Sequence, residues 1–595
     1  MTAVLGAVLS HRLATTWLGA LWVLACVVLL IQHTFMPLPP HSSHDGFMLI
    51  PQLKHLLAGA VPDDAHFGMF HSTWFSPHAL PTGPGGLDAF VQRIFGNVQS
   101  HTWIDAPHPI LLMALTSSVL GGGTLGPVLI QLLYLGVLVF SLYAIGAKTH
   151  SAEAGLMAGV LALGAPAVFG TVQYIEPHLA LASVSTAVVA LLLHTDGLRR
   201  IGLAFFASVS LWSLSRTGEG SGDAVIAGLV VVGPFVATII QSDRELPPLR
   251  WLCAFLALVL PALFLMDLSW CVAAMERVTR AFADPMVQTD VVEKGGGLAH
   301  PLAWLGAYGV LLMTDYLRPG LMALVVAGWW GLRGVDVKHR GVLLCWTLIP
   351  WVALSWMQRK AAWYGIVLVP PVLLWAGVGL QRLGWAWMRR LAFLVAVSQV
   401  VLFSAIPADR FPSGLSVLRE PLQLHEWRLR RIDLLRPMDS VENRRVRQDL
   451  DALIHGLKRE SNPGPVALMT MGTRSDYAAR YYLSMNVEGL EVINLGDPRV
   501  RASGYRSLHP DDFSAFLFLD DGAQPWPPDA AQRVWLKDNL RCRPDERFDA
   551  FIQAVFSRAG HRQSGFYPLG GSVGTPLSPG QVWLGSTRER GICEE

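Results

Sequence analysis

From its amino terminus to about residue 407 the chain alternates long apolar runs with short polar punctuation, and beyond that point it becomes mixed and charged. The first run, Trp17 to Met36, matches the ~20 residues a helix needs to cross the hydrocarbon of a bilayer. Arg12 shortly precedes it and Pro37-Leu-Pro-Pro40 is a poor cleavage site, so the pattern predicts a retained span rather than a removed signal. Further runs follow at about 126–147, 154–172, 178–195, 201–215, 222–241, 250–266, 320–332, 341–356, 363–380 and 391–407. That makes about eleven spans. Ile110 to Leu120 and Pro301 to Met313 are shorter stretches, and if both crossed there would be about thirteen.

Basic residues weigh on that choice, because they concentrate in short cytoplasmic loops. With both short stretches lying in the interface, Lys148, Arg199/Arg200, Arg244/Arg250, Arg333/Lys338/Arg340 and Arg382/Arg389/Arg390 all fall on one side. Both numbers of spans are odd. With the N-terminus inside, the C-terminal segment is then extracytoplasmic on either reading. The outer face would hold a long first loop, about 37–125, and a second, about 267–318, with short turns at Gln173 to His178, Ser215 to Asp223 and Gln358 to Ala362. Apolar segments inside the first loop, Phe47 to Ala58 and Leu87 to Phe95, suit amphipathic helices on the membrane surface.

Two domains follow: a membrane-embedded region, 1–407, and a soluble tail, 408–595. The tail reads as α/β. Helical patterning at Asn443 to Lys458 precedes a strand-like Pro465 to Thr470, then a helix Ser475 to Met485 and strands Leu490 to Asn494 and Phe513 to Leu519, the order expected of a parallel sheet. Met471-Gly-Thr-Arg474 lacks the spacing of a phosphate-binding glycine fingerprint, which favours a structural or acceptor-recognising role for the tail over a second active site.

Composition agrees with a lipid-solvated chain. Of 595 residues 52% are hydrophobic and only 15% charged, against about 25% in soluble proteins. Such hydrophobicity excludes intrinsic disorder, and a net charge of +2 without a basic tract argues against nucleic-acid binding. Cys26, Cys253, Cys271 and Cys345 sit in or beside spans as small apolar residues, while Cys542 and Cys593 could pair in an oxidising compartment. No cysteine–histidine spacing suggests structural zinc.

A few charges remain that lipid solvation does not explain. Asp45, in His44-Asp45-Gly46, follows the first span; it is either a loop or helix-capping acid or a functional carboxylate. Glu176 stands in Tyr174-Ile-Glu-Pro-His178 between two apolar runs with almost no loop, where an ionisable group is costly and usually functional, although a first-turn acid before Pro177 is the plainer reading. Arg216, Glu219 and Asp223 share the glycine-loosened turn Ser215 to Asp223, where the acids could simply pair with the arginine. Arg359-Lys360 precedes Trp363-Tyr364 on the outer side, against the positive-inside trend, and suits a lipid phosphate or headgroup. Acids and bases thus gather on one membrane face, as handling of an anionic lipid-linked substrate requires.

In this order the residues resemble the C-type glycosyltransferases, polytopic enzymes that use polyprenyl-phosphate sugars, especially the protein O-mannosyltransferase and aminoarabinose transferase branch. The resemblance covers about 400 residues and rests on Asp45 after the first span, the turn Ala106-Pro-His108-Pro-Ile-Leu-Leu112, Glu176-Pro177, Leu214-Ser-Arg-Thr-Gly218, and Ser355 to Pro371 with Arg359, Lys360, Tyr364 and Pro370-Pro371. This sequence departs from the family pattern where Gly46 follows the first acid, Glu176 replaces the usual Asp and Arg216 the usual Lys. The resemblance implies inverting transfer of a glycosyl group from a polyprenyl phosphate to an acceptor hydroxyl on the extracytoplasmic face. The acceptor would be lipid, polysaccharide or protein, and the setting a bacterial inner membrane. Asp45 would be the base and Glu176 would orient the acceptor or sugar, or the two roles are reversed. Arg216, Arg359, Lys360 and Tyr364 would bind the donor phosphate, with His44, His108, Glu219 and Asp223 as further candidates. The scheme needs no metal, although the two acids with His44 and His178 could admit a divalent cation. A polytopic transporter or flippase with an outer domain is the alternative, but transporters place charges near the midplane, often in internal repeats, and no repeat of the spans is evident.

Overall fold

A computed structural model describes residues 2–35, 107–120, 125–172, 178–214, 217, 220–265, 337–356 and 362–382, five strands between 466 and 586, and a few isolated positions. The helices are α1 (Thr2–Phe35), α2 (Pro107–Val119), α3 (Leu125–Thr149), α4 (Ala152–Gly164), α5 (Pro166–Val172) and α6 (His178–His194). They continue with α7 (Ile201–Leu214), α8 (Gly220–Glu245), α9 (Pro248–Leu265) and α10 (Val337–Trp356), a 3-10 segment (Ala362–Leu368) and α11 (Val369–Arg382). The apolar runs at 126–147, 178–195, 201–215, 222–241, 250–266 and 341–356 each form one helix. Two runs do not. Residues 154–172 break at Ala165-Pro166, because proline has no N–H for the preceding turn, and 363–380 begins as a 3-10 segment.

Several helices keep large apolar side chains exposed beside their buried faces. On α1, Ala14, Leu18, Ala25 and Leu29 are buried at heptad-like spacing, while Leu13, Trp17, Leu24, Val27 and Ile31 lie on the open face. Phe205 and Phe206 on α7 and Leu249, Leu252, Leu256 and Leu260 on α9 are exposed as well. Water does not tolerate apolar surface on this scale, whereas lipid does. His11–Ile31 and Leu125–Thr149 are long and apolar enough to cross a bilayer.

Between the helices, small residues permit close approach. A Cβ at Gly146 would come within 2.5 Å of the Gly155 Cα, and one at Gly155 would overlap the Tyr143 carbonyl oxygen, so α3 and α4 meet backbone to backbone. Buried hydroxyls bond within their own helix, as when Ser183 donates to Leu179 O and Thr186 to Ala182 O, both at 2.6 Å. One bond crosses helices for a definite reason. Pro261 disrupts the ladder of α9, and the neighbouring Ala262 N–H donates instead to Ser208 Oγ on α7 at 2.8 Å.

Contacts between helices fix their directions. Asp196 pairs with Lys148 at the end of α3 and with Arg200 at 3.1 Å, tying that end to the connection between α6 and α7. Hence α6 runs parallel to α3, and α7 runs back. His11 Nδ1 is 2.7 Å from Tyr143 Oη, and the Trp22 indole donates to Leu132 O at 3.3 Å, so α1 is antiparallel to α3. Trp375 donates to Thr347 Oγ1 at 2.9 Å, and a Cβ at Gly377 would lie 2.7 Å from Ala154 O and Ala158 N. Thus α11 finishes at the Lys148 end, and α10 finishes at the opposite one. Arg12, Lys148, Arg199, Arg200, Lys338 and Arg340 all gather at that basic end.

The basic end is closed by a tight turn. Asp196, Gly197 and Leu198 all have positive φ (52°, 64° and 61°), a costly conformation for a buried leucine. Thr195 holds it, donating from Oγ1 to Leu192 O at 2.6 Å and accepting from Leu198 N at 3.2 Å. Burial pushes the Asp196 carboxyl up, but the hydrogen bond and charge of Lys148, with Arg200 and His194, outweigh it and hold the group below its ordinary value.

In the tail, β1 (Val466–Thr470), β2 (Leu490–Asn494), β3 (Ala515–Asp520), β4 (Ser564–Pro568) and β5 (Pro579–Ser586) form one sheet in the order β2-β1-β3-β5-β4. β1 pairs in parallel with β2, Val466 opposite Leu490, and with β3, Val466 opposite Ala515. The first three strands are legible from sequence; the antiparallel β4–β5 pair, punctuated by Gly and Pro, is not. The helices expected at 443–458 and 475–485 lie almost entirely outside the described residues, as do the runs at 320–332 and 391–407.

Candidate functional site

With directions fixed, each candidate turn can be placed by the helix ends that flank it. Phe35, where α1 leads into the long first loop, is at the end opposite Lys148. So are Val172 and His178, on either side of Glu176, and Leu214 and Gly220, on either side of Arg216 and Glu219. Trp356 and Ala362, flanking Arg359 and Lys360, are there too. Asp45, His44, Glu176, Arg216, Glu219, Arg359 and Lys360 themselves lie outside the described residues. Asp223 falls in the first turn of α8 and Tyr364 in the 3-10 segment, both at this same end. The helix ends flanking four separate connections therefore meet at one end of the bundle.

α2 also belongs to that end. His108, in its first turn, has Nδ1 3.3 Å from Ser213 Oγ, and its ring meets Trp212 edge-on at 4.7 Å, both residues being in the last turn of α7. Its other terminus meets the start of α3, where a Cβ at Gly126 would come within 2.7 Å of the Ser117 Cα. Both ends of α2 thus touch helix termini of the same edge. At 13 residues α2 is shorter than the ~20 residues that cross a bilayer untilted.

The contact brings together two sequence features that stand a hundred residues apart, the Ala106-Pro-His-Pro109 turn and the approach to Arg216. Trp212 and Ser213 do not stand out in the sequence, although they immediately precede Leu214-Ser-Arg-Thr-Gly218. Thr217 seats the turn from its far side: its N–H donates to Leu214 O at 3.2 Å and its Oγ1 to the same oxygen at 2.7 Å, and both residues are buried. His178, the residue after Pro177, is buried at the head of α6. Among the described residues no three His, Cys, Asp or Glu form a metal-sized group.

Comparison with known proteins agrees with this architecture. No family model matches the sequence, and no curated protein matches it. The fold, however, is similar to the crystal structure of ArnT from Cupriavidus metallidurans bound to undecaprenyl phosphate, over 98% of this chain and 99% of that one, at 14% identity and a TM-score of 0.51. The apo state of ArnT matches over 96% of this chain and 98% of that one, at 13% identity and a TM-score of 0.47. Arabinofuranosyltransferase AftD from mycobacteria matches over 96% of this chain but 40% of its own length, at 13% identity and a TM-score of 0.48. These structural neighbours are C-type glycosyltransferases, the class the sequence resembles. The ArnT likeness establishes a shared fold; the chemistry has to be argued from this chain's own residues.

Proposed function

We propose that the chain is an integral membrane glycosyltransferase that moves a sugar from a polyprenyl-phosphate donor to an acceptor hydroxyl at the extracytoplasmic membrane edge, with inversion. The observation that carries this reading is the convergence of the helix ends flanking Glu176, Arg216 and Arg359/Lys360 on one end of the bundle, opposite the basic end. Positive residues concentrate on the cytoplasmic side, so the converging end faces outward, and an odd number of spans leaves the α/β tail there too. The fold shared with a protein crystallised with undecaprenyl phosphate supports a lipid-phosphate substrate.

An acceptor hydroxyl is a weak nucleophile. Asp45 takes its proton as the bond to the anomeric carbon forms, and Glu176 orients the acceptor or sugar. The bond to the phosphate oxygen breaks on the opposite face of the sugar, which inverts the anomeric centre. Charge then accumulates on the departing lipid phosphate, where Arg216, Arg359, Lys360 and the Tyr364 hydroxyl stabilise it as it develops. The scheme requires no metal. A divalent cation between the acids, with His44 and His178, is compatible with it.

The test is transfer from a labelled polyprenyl-phosphate sugar in membranes containing the full chain, with expression matched among variants. Asp45→Asn and Glu176→Gln should each reduce transfer strongly; full activity in both would overturn the catalytic assignment.

A further inference from the structure

His108 is set apart by the sequence but has no part in the chemistry above. We infer that it is a positioning residue, one that holds the last turn of α7, from which the chain runs directly on to Arg216. The inference rests on the donor-phosphate role proposed for Arg216. Three observations lead to it. The His108 Nδ1 lies 3.3 Å from Ser213 Oγ, and the ring is against Trp212 at 4.7 Å and 62°, so both a polar and an aromatic contact hold the same two residues. Those residues directly precede Leu214, whose carbonyl oxygen accepts from both the N–H and the hydroxyl of Thr217. Leu214 and Thr217 are 2% and 0% exposed, so the chain is fixed immediately before and after Ser215-Arg216.

His108 itself is held from outside α7. It stands between Pro107 and Pro109 in the first turn of α2, where Pro107 starts the helix at a position that needs no N–H donor, and α2 is anchored at its other end against α3. α2 therefore bears on α7 at Trp212 and Ser213, just ahead of Leu214. A positively charged group that must meet developing charge gains from being held in place before the charge appears.

The experiment measures binding of radiolabelled undecaprenyl phosphate to the purified full chain in lipid nanodiscs. The variants are His108→Ala, Ser213→Ala and Arg216→Gln, together with the combinations His108→Ala/Arg216→Gln and Ser213→Ala/Arg216→Gln. His108→Ala and Ser213→Ala should each weaken binding about tenfold, and neither should weaken it further once Arg216 is Gln. A general loss of packing would weaken binding equally in both backgrounds, and that result would overturn the inference. Ser213→Ala removes one hydroxyl and keeps the helix, so it carries the test should His108→Ala fail to fold. Wild-type protein that binds no undecaprenyl phosphate would overturn the donor reading, and this inference with it. Wild-type binding with no loss in either single variant would overturn the inference alone.

Discussion

The two ends of the helical bundle solve different problems. At the basic end the connections are short and locked: Ser151 caps α4 by accepting from Ala154 N at 3.1 Å, Thr195 braces a run of three positive-φ residues, and Asp196 holds Lys148 and Arg200 together. At the other end lie the helix ends that flank Glu176, Arg216 and Arg359/Lys360 in the sequence. Asp196 offsets two of the positive charges at the basic end and fixes geometry there. At the far end, the helix ends that flank the charge-bearing segments come from separate helices packed in one bundle. On the proposed reading, stability and chemistry are thereby divided between opposite ends of the bundle.

The division can be broken from either side. The largest effect belongs at the far end: Asp45→Asn should lower sugar transfer at least ~100-fold, the scale of a lost general base, with thermal stability of the purified protein unchanged. Next is packing between the ends. Gly155→Val places side-chain atoms where the Tyr143 carbonyl lies, and thermal unfolding should report a loss of about 3 kcal/mol, at the upper end of overpacking costs. A variant as stable as wild type would show that α3 and α4 do not meet at Gly155.

At the basic end, Asp196→Asn keeps a residue that tolerates positive φ but removes the charge. It should cost about 1 kcal/mol of stability at neutral pH and leave transfer intact, since the pair is partly solvent-screened. The sign of its pH dependence follows from the lowered carboxyl. Stabilisation by the charged form is complete above the ordinary carboxylate value of about 3.9 and fades as pH falls through the lower value of the folded protein. Unfolding midpoints of wild type and Asp196→Asn should therefore converge only in acid. The smallest effect is Ser208→Ala, which takes the acceptor from Ala262 N–H and should cost about 0.6 kcal/mol, the mean for a hydrogen bond between membrane helices.

Much of this division is legible in the amino-acid sequence. Runs of apolar residues mark the spans because a bilayer imposes one length on them, and the basic loops mark the sides because charge bias is local in sequence. What escapes is contact between distant segments. Nothing periodic links His108 to Trp212 and Ser213, and no local pattern announces that Asp196 pairs with Lys148, because both depend on how helices pack rather than on where they begin. The break at Ala165-Pro166 is visible as a proline, yet the apolar run continues on both sides of it and conceals the interruption. The β4–β5 pair escapes because Gly and Pro obscure its strand pattern.

Convergence of the charged turns on one membrane edge is tested most directly by labelling intact cells with a membrane-impermeant thiol reagent. In a chain whose native cysteines are serine, single cysteines would replace Gln173, Gln358, His150 or Arg199. Cysteines at 173 and 358 should label from outside and those at 150 and 199 only after permeabilisation. Labelling of 173 and 358 from opposite sides would contradict a shared edge, and with it a single site built from Glu176, Arg359 and Lys360.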